Sequence, residues 1–132
     1  MDVFVGTSAF YALFDQGDDF HTHAQKIALE LINNNANLIT SNYVLVETIA
    51  LLQNRLNLAA SRDFIEQIIP LYSTVWINEQ IHTNGIKRFI NEKKKKLSFV
   101  DCTSFEIMEM YDIKKAFTFD KHFKERGFEV LQ

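Results

Sequence analysis

At 132 residues the chain has room for one domain and one core. Its 47% hydrophobic, 23% charged and 13% aromatic residues describe a globular protein that buries roughly two-thirds of its unfolded surface, and they exclude a disordered one. A formal net charge of -3 makes no case for a generally basic nucleic-acid binder, although local basic patches stay open.

One cysteine, Cys102, excludes an internal disulfide and fits a reducing compartment. The N-terminus lacks the basic and long apolar regions of a signal peptide, and no run of about 18 apolar residues exists to span a membrane. These features predict a soluble cytoplasmic protein.

Short β-type runs alternate with helical patterns. Val3–Val5 reads as a strand, followed by helical stretches over about Thr7–Asp15 and Asp19–Asn33. A second strand, Asn37–Thr40, leads to Ser41, which is placed to cap a helix over "NYVLVETIALLQNRL". Ala59–Tyr72 reads as a further helix with Pro70 near its end, before a strand at Thr74–Ile77. Helices over Glu79–Lys96 and Asp101–Tyr111 precede a strand at Ala116–Phe119. The short helix of "DKHFKERG" ends at Gly127, placed as a C-cap, and Phe128–Leu131 is the last strand.

Strands alternating with helices predict an α/β fold, with three α/β/α layers around a mainly parallel five-stranded sheet. In such sheets the site lies beyond the carboxyl ends of the strands, where strand order switches. Three positions fall there: Gly6, the region after Thr40, and Asp120.

Gly6 ends the first strand in "VFVGTSAF". It reads either as a glycine that admits a phosphate to a helix N-terminus or as a position where a side chain is missing. The phosphate reading lacks the second and third glycines of a dinucleotide turn and the Gly-Lys-Ser/Thr of a P-loop.

Three carboxylates sit in telling places. Glu47 lies inside "VLVETIALL", where the polar face is narrow. A helix that apolar is expected to be largely buried, so its carboxylate needs a base or a metal ion as partner. Asp101, in "LSFVDCTSFEIM", heads a helix either as its N-cap or at N3 behind a Ser98 cap, with Thr103 and Ser104 beside it. Asp120 ends "AFTFD", another N-cap position, with Thr118 two residues earlier on the same strand face. Taken together, an acidic cluster with few histidines selects the hard cations Mg²⁺ or Mn²⁺ over Zn²⁺, and such ions suit phosphodiester hydrolysis.

Those residues give the sequence a family likeness. It resembles the PIN-domain family, and within it the VapC-type toxins of bacterial toxin–antitoxin pairs, over nearly the whole of 1–132. "VFVGTSAFYALFD" aligns with the opening strand and Asp-Thr-Ser of that family, and "LITSNYVLVET" places Glu47 at its second acid. "SFVDCTSFEIM" places Asp101 at the third, and "AFTFDKHFKERGFEVL" places Asp120 at the fourth. The resemblance implies a single PIN-like domain and a Mg²⁺- or Mn²⁺-dependent endoribonuclease. It further implies an RNA substrate, a homodimer and a cognate antitoxin that obstructs the site. Thr7 and Thr103 match hydroxyl positions that support the site through water or through contacts behind the ligands.

The departure is Gly6, which stands where the family has its first Asp. Asp2 lies about 13 Å away at the other end of the strand and cannot replace it. Asp15, Asp18 and Asp19 follow the first helix and are not expected at the centre. The resemblance therefore implies an impaired nuclease, whether naturally degenerate or inactivated, or a non-catalytic PIN-like protein that keeps its antitoxin or RNA partner.

Elsewhere, the run Lys93–Lys96 reads as a solvated helix end or as a phosphate-contacting rim. His21, His23, His82 and His122 show no metal spacing, and only His122 is expected near the site. Cys102 reads as a small buried residue, not a nucleophile. Phe10, Tyr11, Phe14 and Phe20 read as core or dimer-contact residues.

Overall fold

In the computed structural model, which describes residues 1–94 and 96–132, five strands form one all-parallel sheet. They are β1 (Asp2–Val5), β2 (Asn37–Ser41), β3 (Ser73–Val75), β4 (Lys115–Phe117) and β5 (Glu129–Leu131), in the order β3-β2-β1-β4-β5. Phe4 of β1 lies between Ile39 of β2 and Ala116 of β4 in register. Strand order therefore reverses beside β1, and the carboxyl end of β1 is where a crevice opens.

The helices are α1 (Thr7–Phe14), α2 (His21–Asn33), α3 (Asn42–Arg55), α4 (Leu58–Asp63), α5 (Glu79–Ile90), α6 (Phe99–Met110) and α7 (Lys121–Glu125). Right-handed crossovers put α1–α4 on one face of the sheet and α5–α7 on the other, giving the three expected layers. Among the described residues no helix is long and apolar enough to cross a membrane.

Caps fix most of these boundaries. Ser41 Oγ accepts from Val44 N at 3.1 Å, starting α3 where expected. Asn57 and Asn78 cap α4 and α5 in the same way. Gly127, at φ 92°, ends α7 in the left-handed conformation that glycine adopts without strain.

Two expected helices are shorter than their patterns. The 59–72 stretch breaks after α4 into a π turn (Phe64–Ile68) and a 3-10 turn (Ile69–Leu71). Pro70 lacks the N–H that would bond Glu66, and its ring clashes with that carbonyl, so the helix widens and stops. The 79–96 stretch ends at Ile90, so the lysine run lies beyond a helix and is not its charged last turn. Lys95 falls outside the described residues.

Phenylalanine fills the core on both faces of the sheet. Phe10 meets Phe64 edge-on with centroids 5.1 Å apart, and Phe105 meets Phe123 at 4.8 Å. Offset and edge-on ring pairs such as these add to the area they bury. Phe10 and Phe14 are core or core-flanking, as expected.

Helices α5 and α6 pack through a glycine. A Cβ at Gly85 would lie 2.8 Å from Thr103 Cγ2 and 3.3 Å from Phe99 Cε1. Thr103 cannot rotate away freely, because its hydroxyl donates to Val100 O at 2.7 Å. Gly85→Ala gains about 1 kcal/mol of helix propensity but meets about 1–3 kcal/mol of overpacking. We expect a net loss of stability of about 1 kcal/mol in urea unfolding, restored when Thr103→Ser removes the opposing methyl.

Candidate metal centre and its cleft

A cleft of about 400 Å³ opens at the carboxyl end of β1, lined by Gly6, Glu47, Asp101 and Asp120 together with Arg55 and Lys96. Each acid arrives from a different element, and local structure explains each placement.

Asp101 is the third residue of α6 and closes a capping box. Its own N–H donates to Ser98 Oγ at 3.1 Å, while Ser98 N–H donates to Asp101 Oδ2 at 3.3 Å. Of the two cap readings open from sequence, the structure selects Ser98 as N-cap and Asp101 at N3. Asp120 is the N-cap of α7, and its Oδ1 accepts from His122 N at 2.9 Å.

A hydroxyl pair sets the turn that carries Asp120. Ser8 Oγ and Thr118 Oγ1 are 3.0 Å apart; Ser8 accepts from Phe119 N at 2.8 Å and Thr118 from Asp120 N at 3.1 Å. The 118–120 turn is thereby tied to the first turn of α1. Thr118 lies just past the end of β4, buried, and serves the site from there.

Burial and the facing charge of Asp120 push the Asp101 carboxyl up to about 7. Desolvation is the larger cause and like-charge repulsion the second. The pair is held together despite its own repulsion.

Glu47 departs from its expected setting. Helix α3 is only half-buried, because Val46 (66% exposed) and Ala50 face solvent. Glu47 is half-buried on the flank of the cleft and has no need of a compensating buried partner. Of the apolar residues that suggested burial, Val44, Leu45 and Leu52 face the core, whereas Val46 and Ala50 are on the open side of the helix. Among the described residues, no three His, Cys, Asp or Glu side chains converge tightly enough to hold a metal ion. The close acidic element is the Asp101–Asp120 pair, with Glu47 on the same wall.

Gly6 has the extended conformation φ -95°, ψ 171°, which any residue adopts. A Cβ there would meet Thr118 Oγ1 at 3.4 Å, an ordinary contact. Neither backbone nor space requires glycine. The residue caps α1 without any side-chain bond, and neighbouring Thr7 Oγ1 is buried with no hydrogen-bond partner among the described residues.

Thr103 lies elsewhere. Its hydroxyl bonds Val100 O and its methyl faces Gly85, so it serves the α5–α6 contact, while Ser104 lines the cleft. Asp18, set aside on sequence, lies at the rim with Oδ1 accepting from Phe20 N at 2.8 Å. Asp2 bonds Asn37 at the far end of β1.

Two cations in the cleft had no distinguishing signal in sequence or only a partial one. Arg55 sits over the Tyr11 ring at 5.3 Å, and Tyr11 Oη donates to Asp15 at 2.9 Å. Among the described residues of the lysine run, Lys96 reaches the cleft, whereas Lys94 pairs with Glu125 at 2.5 Å. His122 is buried beside Asp120, its ring 3.3 Å from Glu125. Cys102 is buried, and burial raises its thiol pKa, as befits an inert side chain.

An α/β sheet with an acidic pair at its switch point defines a class of proteins, and comparison with known families agrees. The PIN domain family model matches residues 3–129, and the chain belongs to that family. The 23S rRNA-specific endonuclease VapC20 of Mycobacterium tuberculosis, in two strains, is 29% identical over 96% of this chain and 95% of the relative. The crystal structure of M. tuberculosis VapC20, described as a sarcin–ricin loop cleaving toxin, superposes with a TM-score of 0.82. It shares 29% identity and covers 96% of this chain and 95% of that one.

The elevated Asp101 pKa has a measurable consequence. The folded chain keeps this proton to about pH 7, whereas the unfolded chain releases it near 3.8. The native state therefore binds more protons in that window, and this group's contribution to stability falls as pH rises through it. At roughly 1.4 kcal/mol per unit the loss is on the order of 2–4 kcal/mol by pH 8. Asp101→Asn, which can still accept from Ser98 N, should flatten that decline and melt higher than the parent at pH 8.

Proposed function

We propose that this chain is a VapC-type endoribonuclease, a single PIN-like domain over 1–132 acting on RNA phosphodiesters, with catalysis weakened by Gly6. The observation that carries the reading is the Asp101–Asp120 pair, half-buried and mutually repelling at the sheet's switch point. The relatives' substrate makes 23S rRNA the first RNA to assay.

The donor set suits a hard cation. Oxygen-only ligands favour Mg²⁺ or Mn²⁺, and Mg²⁺ is commonly held by one or two carboxylates with the rest of its shell left to water and substrate phosphate. Asp101 and Asp120 would hold it, and Glu47 would reach it through water from the flank. When bound, the cation supplies Lewis-acid charge to the phosphodiester and acidifies water beside it.

The chain's own residues do the rest. Asp101 must give up its proton to act as a ligand, which favours neutral to alkaline pH. Ser8 and Thr118 hold the Asp120 turn against the repulsion of the pair. Arg55 and Lys96 line the same cleft and are placed to take phosphates on either side of the reacting one. Gly6 leaves one corner without a carboxylate, and loss of a ligand lowers metal affinity or activity by at least about 10–100-fold. The further parts of this reading are a cytoplasmic homodimer and a cognate antitoxin partner.

Restoring the carboxylate tests the core of the proposal. Gly6→Asp should raise Mn²⁺-dependent RNA cleavage at least ~10-fold, and should enlarge the Mn²⁺-induced rise in melting temperature, more at pH 8 than at pH 6. No gain in either measurement would favour the second reading, a non-catalytic PIN-like protein, for which the lack of a three-acid convergence among the described residues speaks.

The two cleft cations give an independent prediction. Arg55→Ala with Lys96→Ala should reduce the salt dependence of RNA binding by about 0.7 in slope for each phosphate that is no longer neutralised. An unchanged slope would place RNA elsewhere on the surface.

A further inference from the structure

We propose that Phe20 is a nucleobase platform, holding one unpaired base of the RNA against its ring beside the acid pair. The proposal rests on the ribonuclease reading and adds to it a subsite for a base.

Phe20 is 49% exposed, yet it is held in place from two sides. Its ring stacks on that of Phe119, with centroids 4.6 Å apart and 11° between planes. Its N–H donates to Asp18 Oδ1 at 2.8 Å, and the turn that carries Asp18 is fixed by Asp15, which accepts from Gly17 N and Tyr11 Oη at 2.9 Å each. A large apolar side chain thus keeps about half its surface in water without the freedom to fold it away.

The cap position gives no reason for a phenylalanine here. Phe20 is the N-cap of α2, a position that favours Ser, Thr, Asp or Asn, and its side chain makes no cap bond. It was expected in the core or a dimer contact; it lies outside the core, at the rim of the cleft.

Its location supplies the reason. Phe20 and Phe119 line the same cleft as Asp101 and Asp120. Phe119 directly precedes Asp120, and its N–H is held by Ser8 Oγ, so the ring pair is in fixed register with the acid. One face of Phe20 is covered by Phe119, and the remainder is open for a second planar group. A flat aromatic surface beside cations that take phosphates is the arrangement that binds unpaired nucleotides, and it tolerates any base. The ligand is therefore a nucleotide next to the reacting phosphate, in a loop or single strand and not in a helix.

The test uses the chain as it is and a short fluorescein-labelled single-stranded RNA, with affinity read by anisotropy in EDTA so that the RNA stays intact. Phe20→Ala should raise Kd about 10-fold, within the range for loss of one base–aromatic stack, while Phe20→Trp should bind at least as tightly as the parent. Phe20→Ser, which supplies a favoured cap, should retain the melting temperature better than Phe20→Ala and bind RNA as poorly. RNAs carrying an abasic site at each position in turn should include one to which parent and Phe20→Ala bind alike.

Equal affinity of parent and Phe20→Ala for intact RNA would overturn the proposal and leave the nuclease reading standing, as would abasic losses that add to the mutation at every position. A parent chain that binds no RNA, in EDTA or with Ca²⁺ in the cation's place, would instead overturn the nuclease reading itself. Weakened antitoxin binding with unchanged RNA affinity would assign the ring to a protein contact.

Discussion

Two carboxylates that repel one another are kept face to face by the backbone amides of two helix starts. Asp101 is fixed as the third residue of α6 by a reciprocal bond with Ser98, and Asp120 as the cap of α7 by the amide of His122. Each acid therefore has a local, stabilising role that sets where it points. The site results from putting both helix starts at the same end of the sheet. The charge of the pair violates the consistency between local preference and global fold, and such violations concentrate at functional sites.

The rest of the molecule braces these two starts. The loop after α5 is clamped to α7 by Lys94 with Glu125 and by Glu92 with Arg126. Arg126 also lies over Phe105 of α6, whose ring packs on Phe123 of α7. The two acid-bearing helices are thus locked through side chains remote from the cleft. From the other direction, Ser8 on α1 secures the turn before Asp120. Exposed ion pairs contribute little stability singly, but their partners here fix geometry where a small displacement would separate the acids.

Much of this was legible in the residues. Alternating β-type and helical runs identified all five strands within two residues and the three layers, because hydrophobic period and cap residues act locally. Asp101 and Asp120 were legible because a cap announces itself in sequence. Glu47 was read as more deeply buried than it is. Val46 and Ala50 look like core residues, and nothing in a lone helix says which of its faces the fold will cover. Thr103 was expected to support the site because it matches a hydroxyl position of the family. It is two residues beyond Asp101, about 200° of helical rotation, which turns it to the other side of α6, against Gly85. Arg55, Asp18 and Phe20 enter the cleft through tertiary packing, and only the poor match of Phe20 to a cap position hinted at another purpose.

Gly6 separates the charge of the cleft from the path of the chain. Its backbone is one that any residue adopts, and its surroundings leave room for a Cβ. Exchanging glycine and aspartate at this position therefore meets no steric barrier from the fold. What a side chain here would alter is the charge of the cleft, where a carboxylate would join Asp101 and Asp120, and not the path of the backbone.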